Sequence, residues 1–254
     1  MATPVAFVSH GAPTLALDLE RGADLTRWAA TLGRPRALLV VSAHWLDTPP
    51  AIGTRQPREL LHDFSGFPEP LYHLRYDAPA AADVAERVEA LVPDVRRDDA
   101  RPWDHGVWVP LRHMFPAADV PVVQLSLPFR WSPRQLFELG QRLATLRDRG
   151  VLLLASGGAV HNLGRLHWSG DTEPPAWATD FEAWLRERLA ARAFDDVVAF
   201  RDKAPSPELA HPTDEHFLPL LVALGAAGDR DEPVQFPVTG FEYGSLSRLC
   251  VQFG

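Results

Sequence analysis

The sequence predicts an α/β fold: a single domain with a mostly parallel central sheet flanked by helices. Three observations lead there. Short runs that are apolar throughout (Val5–Val8, Ala37–Ser42, Pro121–Leu127, Val151–Ala155) alternate with longer stretches of helical spacing. Strands covered on both faces read as continuous apolar runs, and alternation of strand with helix is the pattern of a parallel sheet. The 254 residues are 46% hydrophobic, enough for one large core, and no repeat, linker or low-complexity block divides them. Residues 1–254 are therefore read as one domain.

Taken in order, Val5–Val8 is a short buried strand that ends at Ser9-His10-Gly11. No basic residue precedes Arg21, and His10 interrupts the apolar stretch, so this is a first strand and not a secretion leader. Leu15–Leu32 has helical spacing (Leu15, Leu19, Leu25, Trp28, Ala29), with Gly33 as its stop. Ala37–Ser42 is a second strand, ending at Ala43-His44-Trp45. Residues 46–79 carry Pro49, Pro50, Pro57, Pro68, Pro70 and Pro79 and form a long connection of the kind that closes over sites. Ala80–Leu91 is an amphipathic helix through Val84, Val88 and Leu91, and Pro121–Leu127 is a third strand. Ser132-Pro133 opens a helix with Ser as N-cap and Pro in the first turn. Leu136, Phe137, Leu139, Leu143 and Leu146 form its buried face, and Gly150 closes it. Val151–Ala155 is a fourth strand running into Ser156-Gly157-Gly158. Thr179–Ala193 and Leu218–Leu224 are helices, the second with Pro219 in its first turn, and Gly244–Phe253 is a last strand.

Charge and cysteine content narrow the function classes. The net charge is −8, with no Lys/Arg run and no basic helix face, which excludes nucleic acid and an anionic membrane surface as expected partners. No run reaches the ~18 apolar residues of a membrane helix. The single cysteine, Cys250, lies in an apolar run, reads as core and allows no intrachain disulfide; a reducing cytoplasm is the compartment that fits.

The chemistry lies in the ten histidines. His10 and His44 follow strands, His161 lies just past a third, and His216 stands ahead of a helix. In open α/β sheets ligands bind beyond the carboxyl ends of the strands, so these imidazoles are expected in one crevice. Imidazole suits zinc, iron, copper or nickel. One cysteine excludes a Cys-rich zinc site, and the absence of HExxH excludes a zincin helix. GxSxG, GxGxxG and GxxxxGK[ST] are also absent, which argues against a nucleophile elbow and a nucleotide cradle. His73, His113, His167 and His211 are read as structural. Asp104-His105-Gly106 is either a turn held by its Asp or a loop that brings His105 to a substrate. In His62-Asp63-Phe64-Ser65-Gly66-Phe67-Pro68, the histidine and the two phenylalanines either meet an aromatic ligand at the rim of the crevice or anchor the loop.

The segments SHGAPTLAL, VVSAHW, HDFSGFP, DHGVWVPL, VPVVQLSL, ASGGAVHNL, PTDEHFLPLL and GSLS, in this order along essentially the whole chain, resemble the DODA-type, LigB-like extradiol ring-cleavage dioxygenases. The resemblance implies one catalytic domain over 1–254. It implies a mononuclear non-haem Fe(II) enzyme that opens a small catechol beside its two hydroxyls and incorporates both atoms of O2. Fe(II) would serve activity, with zinc the metal of several bacterial members as isolated. His10, His44 and His216 match the metal ligands. His161 matches the acid/base position, assigned in this branch also as a fourth ligand. His105 matches a substrate-facing histidine, and His62, Phe64 and His105 are expected to bind substrate. Many extradiol enzymes use two histidines and a carboxylate; here a third histidine stands in that place, with Glu215 as the alternative ligand. Two rival readings use the same histidines: a zinc hydrolase, and a Memo-like protein that binds metal and a partner without turnover.

Overall fold

The structure is a computed structural model and describes residues 2–56, 59–170 and 172–254. Pro57, one of the prolines of the long connection, lies outside the described residues. The first half runs β1 (Val5–Ser9), α1 (Leu19–Leu32), β2 (Ala37–Leu46), β3 (Ala51–Gly53), α2 (Ala82–Leu91), β4 (Arg96–Asp98), α3 (His105–Met114) and β5 (Val122–Leu127). The second runs α4 (Pro133–Leu143), β6 (Val151–Gly157), α5 (Ala176–Ala190) and three short helices, α6 (Phe194–Val198), α7 (Phe200–Lys203) and α8 (Pro207–Ala210). It ends with α9 (Leu218–Ala227), β7 (Val234–Gln235), β8 (Phe241–Glu242), β9 (Leu246–Ser247) and β10 (Val251–Phe253).

Eight strands form one sheet in the order β4-β3-β5-β2-β6-β1-β10-β7. The four central ones, β5-β2-β6-β1, are all parallel; β3 joins β5, and β10 joins β1 and β7, in the antiparallel sense. Alternate residues of the central strands feed two cores, one on each face. Leu39, Val41 and Leu153 pack with α2, α4, α5 and α9. Leu38, Val40, Leu152 and Leu154 pack with α1 and α3. Both faces are covered, which is why these strands read as unbroken apolar runs.

Most sequence-derived elements are present, with shifts of physical origin. The predicted helix 15–32 is two pieces, a 3-10 turn Pro13–Leu17 and then α1, because Asp18 stops the first and caps the second by accepting from the Arg21 amide (3.0 Å). The expected Ser132 cap is a full capping box completed by Gln135. Strand β2 runs to Leu46, so His44 lies within it and not beyond it. The expected strand 244–253 is split between the small β8–β9 pair and β10 in the main sheet. The connection 46–79 contains β3 and a 3-10 turn at Glu69–His73. Helix α3 was not expected: nine of its ten residues are buried, and it holds Pro110 inside it. Cys250 is fully buried, and burial pushes its thiol up to about 12. Among the described residues no helix is long and apolar enough to cross a membrane.

Candidate metal centre

The carboxyl ends of β1, β2 and β6 open into one crevice. His10 is the first residue past β1, and its amide donates to Gly157 O at the end of β6 (3.0 Å). His44 reaches the same place through an irregularity: from Val41 to Leu46, β2 advances five residues while its partner β5 advances two, from Leu125 to Leu127. The surplus turns His44 out of the ladder, as bulges do beside active sites. His216 arrives from the segment before α9, and its carbonyl accepts from the Gly158 amide (2.9 Å). This approach needs glycine at 157, where a Cβ would sit 2.1 Å from His216 O. Gly106 serves likewise beside Ser42, whose Oγ would lie 2.4 Å from an added Cβ.

Hydrogen bonds fix the tautomers of the three rings. The Ser156 hydroxyl donates its one proton to Gly106 O, so it accepts from His10 Nδ1–H (2.9 Å). Asp63 accepts from His44 Nδ1–H (3.2 Å). Glu215 accepts from His216 Nδ1–H (3.1 Å) and from the Thr213 hydroxyl (2.9 Å). Each Nε2 is therefore a bare lone pair. These three lone pairs converge, His10 on His44 at 3.1 Å and His44 on His216 at 3.3 Å. Three acceptors facing one another repel unless a cation sits among them, so the donor set fits a divalent metal. Burial keeps the rings ready for it: desolvation holds His10 and His216 well below the usual histidine range, with the neighbouring imidazoles adding to the effect. Glu215, the alternative ligand, turns its carboxylate to His216 Nδ1 and supports the ring from behind.

Two further histidines line the crevice. His161 stacks on His216, ring centroids 3.5 Å apart and planes within 6°. Burial and nearby imidazoles, only partly offset by Glu215, lower it to about 4, so it is neutral at pH 7. His105 begins α3 and lies edge-on to His10 and 3.9 Å from His44 by ring centroids. Its Nδ1–H is donated to Asp63 Oδ1 (2.7 Å), which leaves Nε2 as its acceptor. Desolvation lowers His105, against the pull of Asp63. Asp63 thus accepts from two imidazoles. Burial works to raise its carboxyl, but the bonds from His105 and His44 prevail and hold it far below the usual carboxylate range. Among the described residues, the groups in which every ligand atom lies within metal-binding distance of the others are His10-His44-His105 and His161-Glu215-His216, and the contact of His44 with His216 joins the two.

These groups face a cavity of about 180 Å3 whose remaining lining is mostly apolar: Pro13, Phe64, Phe67, Leu163, Leu166, Trp168 and Leu246. Among the described residues that line it there is no lysine or arginine. Phe64 stands where expected, edge-on to His105 at 5.6 Å. His62 does not. It packs behind Phe64, against Tyr72 and Trp108, and lines a separate cavity of about 360 Å3 with Glu59, Arg75 and Asp77. Strand-like pairing of Leu60–Leu61 with Trp103 turns its ring to the far side, so the structure separates His62 from the cluster.

Asp104 does not orient its neighbour His105. It is fully buried and accepts from Ser42 Oγ (2.7 Å), Gln124 Nε2 (2.5 Å) and Arg101 (3.3 Å). Arg101 in turn donates to His44 O (2.9 Å), so this node secures the bulged end of β2. The orienting residue, Asp63, lies in the HDFSGFP segment, but nothing there marks it as the partner of two histidines 19 and 42 positions away. His113 is structural, its Nε2 donating to Leu15 O (2.8 Å), and His211 likewise donates to Ala159 O (2.9 Å). His73 pairs with Glu69 on the surface.

A parallel α/β sheet with a histidine-lined crevice at its carboxyl edge, walled by aromatic rings, is the scaffold of a metal-dependent enzyme, and the comparisons with known proteins give its class. The chain belongs to the family described as the catalytic LigB subunit of aromatic ring-opening dioxygenase, which matches residues 5–254. It is an oxidoreductase, an extradiol ring-cleaving dioxygenase. Among its relatives, the 4,5-DOPA dioxygenase extradiol of Escherichia coli (strain K12) is 41% identical, covering 99% of this chain and 94% of that protein. The 4,5-DOPA dioxygenase extradiol of Beta vulgaris is 39% identical, covering 89% and 87%. The crystal structure of an uncharacterized protein from Escherichia coli K12 superposes with a TM-score of 0.84 at 37% identity, over 99% of this chain and all of the other.

Proposed function

We propose that this chain, acting as one catalytic domain in the cytoplasm, uses Fe(II) held by His10, His44 and His216 to open a small catechol of the DOPA type. The observation that carries the reading is the convergence of three Nε2 lone pairs at 3.1 and 3.3 Å, with each opposite Nδ1 proton committed to an oxygen. The substrate class follows from the names of the relatives and from a cavity walled by rings. Fe(II), when bound, supplies the electron exchange between catechol and O2 that closed-shell side chains cannot.

The protein's own groups then have these tasks. Phe64 and Phe67 form an aromatic wall against which a flat ring rests. His105 Nε2, its tautomer set by Asp63, accepts a hydrogen bond from a catechol hydroxyl. His161 is neutral at pH 7 and takes and returns the proton. Its near-parallel stack on His216 favours this over a fourth ligand: lone pairs lie in the ring planes, and two parallel planes 3.5 Å apart do not meet at one ion. The walls exclude bulk water from the reacting atoms. Trp168, 55% exposed, stands at the mouth of the cavity.

The test is anaerobic reconstitution with Fe(II), then O2 uptake with a panel of catechols that includes L-DOPA. Uptake with a yellow ring-opened product, absent from the zinc-loaded protein, is the expected result. Hydrolysis of an ester panel by the zinc form without O2, and no uptake by the iron form, would replace this reading with a zinc hydrolase.

A further inference from the structure

Asp63 sits at an unusual junction. It belongs to the long connection, yet its two oxygens receive Nδ1–H from His44 in β2 and from His105 in α3 (3.2 and 2.7 Å), and Oδ1 also accepts the His105 amide (3.3 Å). The connection has little else to hold it here. Leu61 N donates to Trp103 O (2.8 Å) and Trp108 Nε1 to Leu61 O (3.3 Å). From residue 62 to residue 67, among the described residues, no main-chain hydrogen bond ties the segment to the sheet or helices. The remaining ties are apolar: His62 with Tyr72 and Trp108, Phe64 with His105, Trp108 and Tyr72, Phe67 with Phe64 and Trp168, and both phenylalanines against the core beneath them. Asp63 is thus the hydrogen-bonded anchor of the stretch that carries Phe64 and Phe67, the aromatic wall of the cavity.

We propose that Asp63 is a positioning residue that couples metal occupancy to the order of residues 61–67, so that binding of the metal sets the aromatic wall of the substrate cavity. The inference rests on the reading of His10, His44 and His216 as the metal ligands. Its physics is direct. A cation on His44 Nε2 draws density from the ring and selects the tautomer with the proton on Nδ1, which makes that N–H a stronger donor to Asp63. The tightened bond fixes the loop. By linkage, the factor by which the metal strengthens the Asp63–His44 bond is the factor by which that bond strengthens metal binding. Asp63 also brings to the site a negative charge that three neutral imidazoles lack, as Glu215 does behind His216. Asparagine cannot replace it: one face of the amide is a donor, and it would meet either His44 Nδ1–H or His105 Nδ1–H.

The experiment is hydrogen exchange of the full chain, with and without one equivalent of Zn(II), read over peptides spanning 61–67, together with zinc affinity by chelator competition. In the wild type, zinc should slow exchange in this segment. In Asp63→Asn that protection should be lost and zinc affinity should fall by about 10–100-fold, the usual effect of an outer partner of a ligand, while Asp63→Glu recovers part of both. Equal exchange of the segment in the wild-type apo and zinc forms overturns the proposal without recourse to any variant. Unchanged zinc protection in Asp63→Asn overturns it as well. His216→Ala separates this from the underlying reading, because it removes a ligand that does not touch Asp63. If His216→Ala binds zinc as tightly as the wild type, the ligand assignment itself has failed.

Discussion

The two walls of the crevice are built on different terms. The metal-facing wall grows from strand ends: His10 and His44 issue from β1 and β2, and His216 is pinned to the end of β6 by a main-chain bond and a glycine that admits no Cβ. The substrate-facing wall hangs from a connection whose anchor points are Leu61, Asp63 and a set of ring contacts. The first is a fixed feature of the core; the second is adjustable. The contrast teaches that the metal-facing lone pairs are set by the sheet, while the surface a flat ring would rest on is set by a loop.

Substitutions can break that comparison. The largest effects belong to the strand-borne ligands: His10→Ala, His44→Ala or His216→Ala should each lower zinc affinity by at least about 100-fold, beyond what outer partners contribute, and abolish O2 uptake. Chelator competition reads the first and an oxygen electrode the second. His161→Ala should retain metal and lose roughly 10²–10⁴-fold in kcat. Loss of metal in step with activity would make it a ligand after all.

A third effect is acid sensitivity of the metal-free chain. His211 is fully buried among Phe181, Phe200 and Phe217, and burial holds it down at about 3. The unfolded chain binds a proton near pH 6.5 that the folded chain refuses, so stability falls as pH drops from 6.5 toward 3. At pH 5 the loss is about 2 kcal/mol from this group. His211→Phe should flatten the acid side of the profile by about one proton, measured by urea unfolding at pH 7 and pH 5. An unchanged slope would contradict the assignment.

The smallest effects belong to the loop. Phe64→Ala should raise KM for catechols by roughly 3–10-fold, the worth of an aromatic contact, with little change in kcat. His62→Ala should do less, because its ring faces the other cavity. Equal KM effects would mean that both residues reach the substrate and that the wall is deeper than it looks.

The strand-borne half was legible in the sequence, whereas of the loop-borne half only the phenylalanines were. His10 and His44 announce themselves by ending apolar runs, and His216 by preceding a helix with Pro219 in its first turn. Those signals are local. Asp63 acts across 19 and 42 positions, and no periodicity encodes such a pairing. His62, one residue away, looked the better candidate only because imidazole is the commoner functional group. Helix α3 escaped for another reason. It opens on Asp104-His105-Gly106, which reads as a turn, and Pro110 in its middle reads as a breaker. The strand irregularity that swings His44 into the crevice is likewise invisible, since Ala43-His44-Trp45 reads equally as strand or as loop.

The most direct test of the central claim is an anaerobic titration of the chain with Fe(II), each point assayed for O2 consumption with a catechol. The account predicts a rise to a plateau at one iron per chain, abolished by prior zinc and absent from His44→Ala. O2 uptake by His44→Ala at the wild-type rate, or no uptake at stoichiometric iron with any catechol, would contradict it.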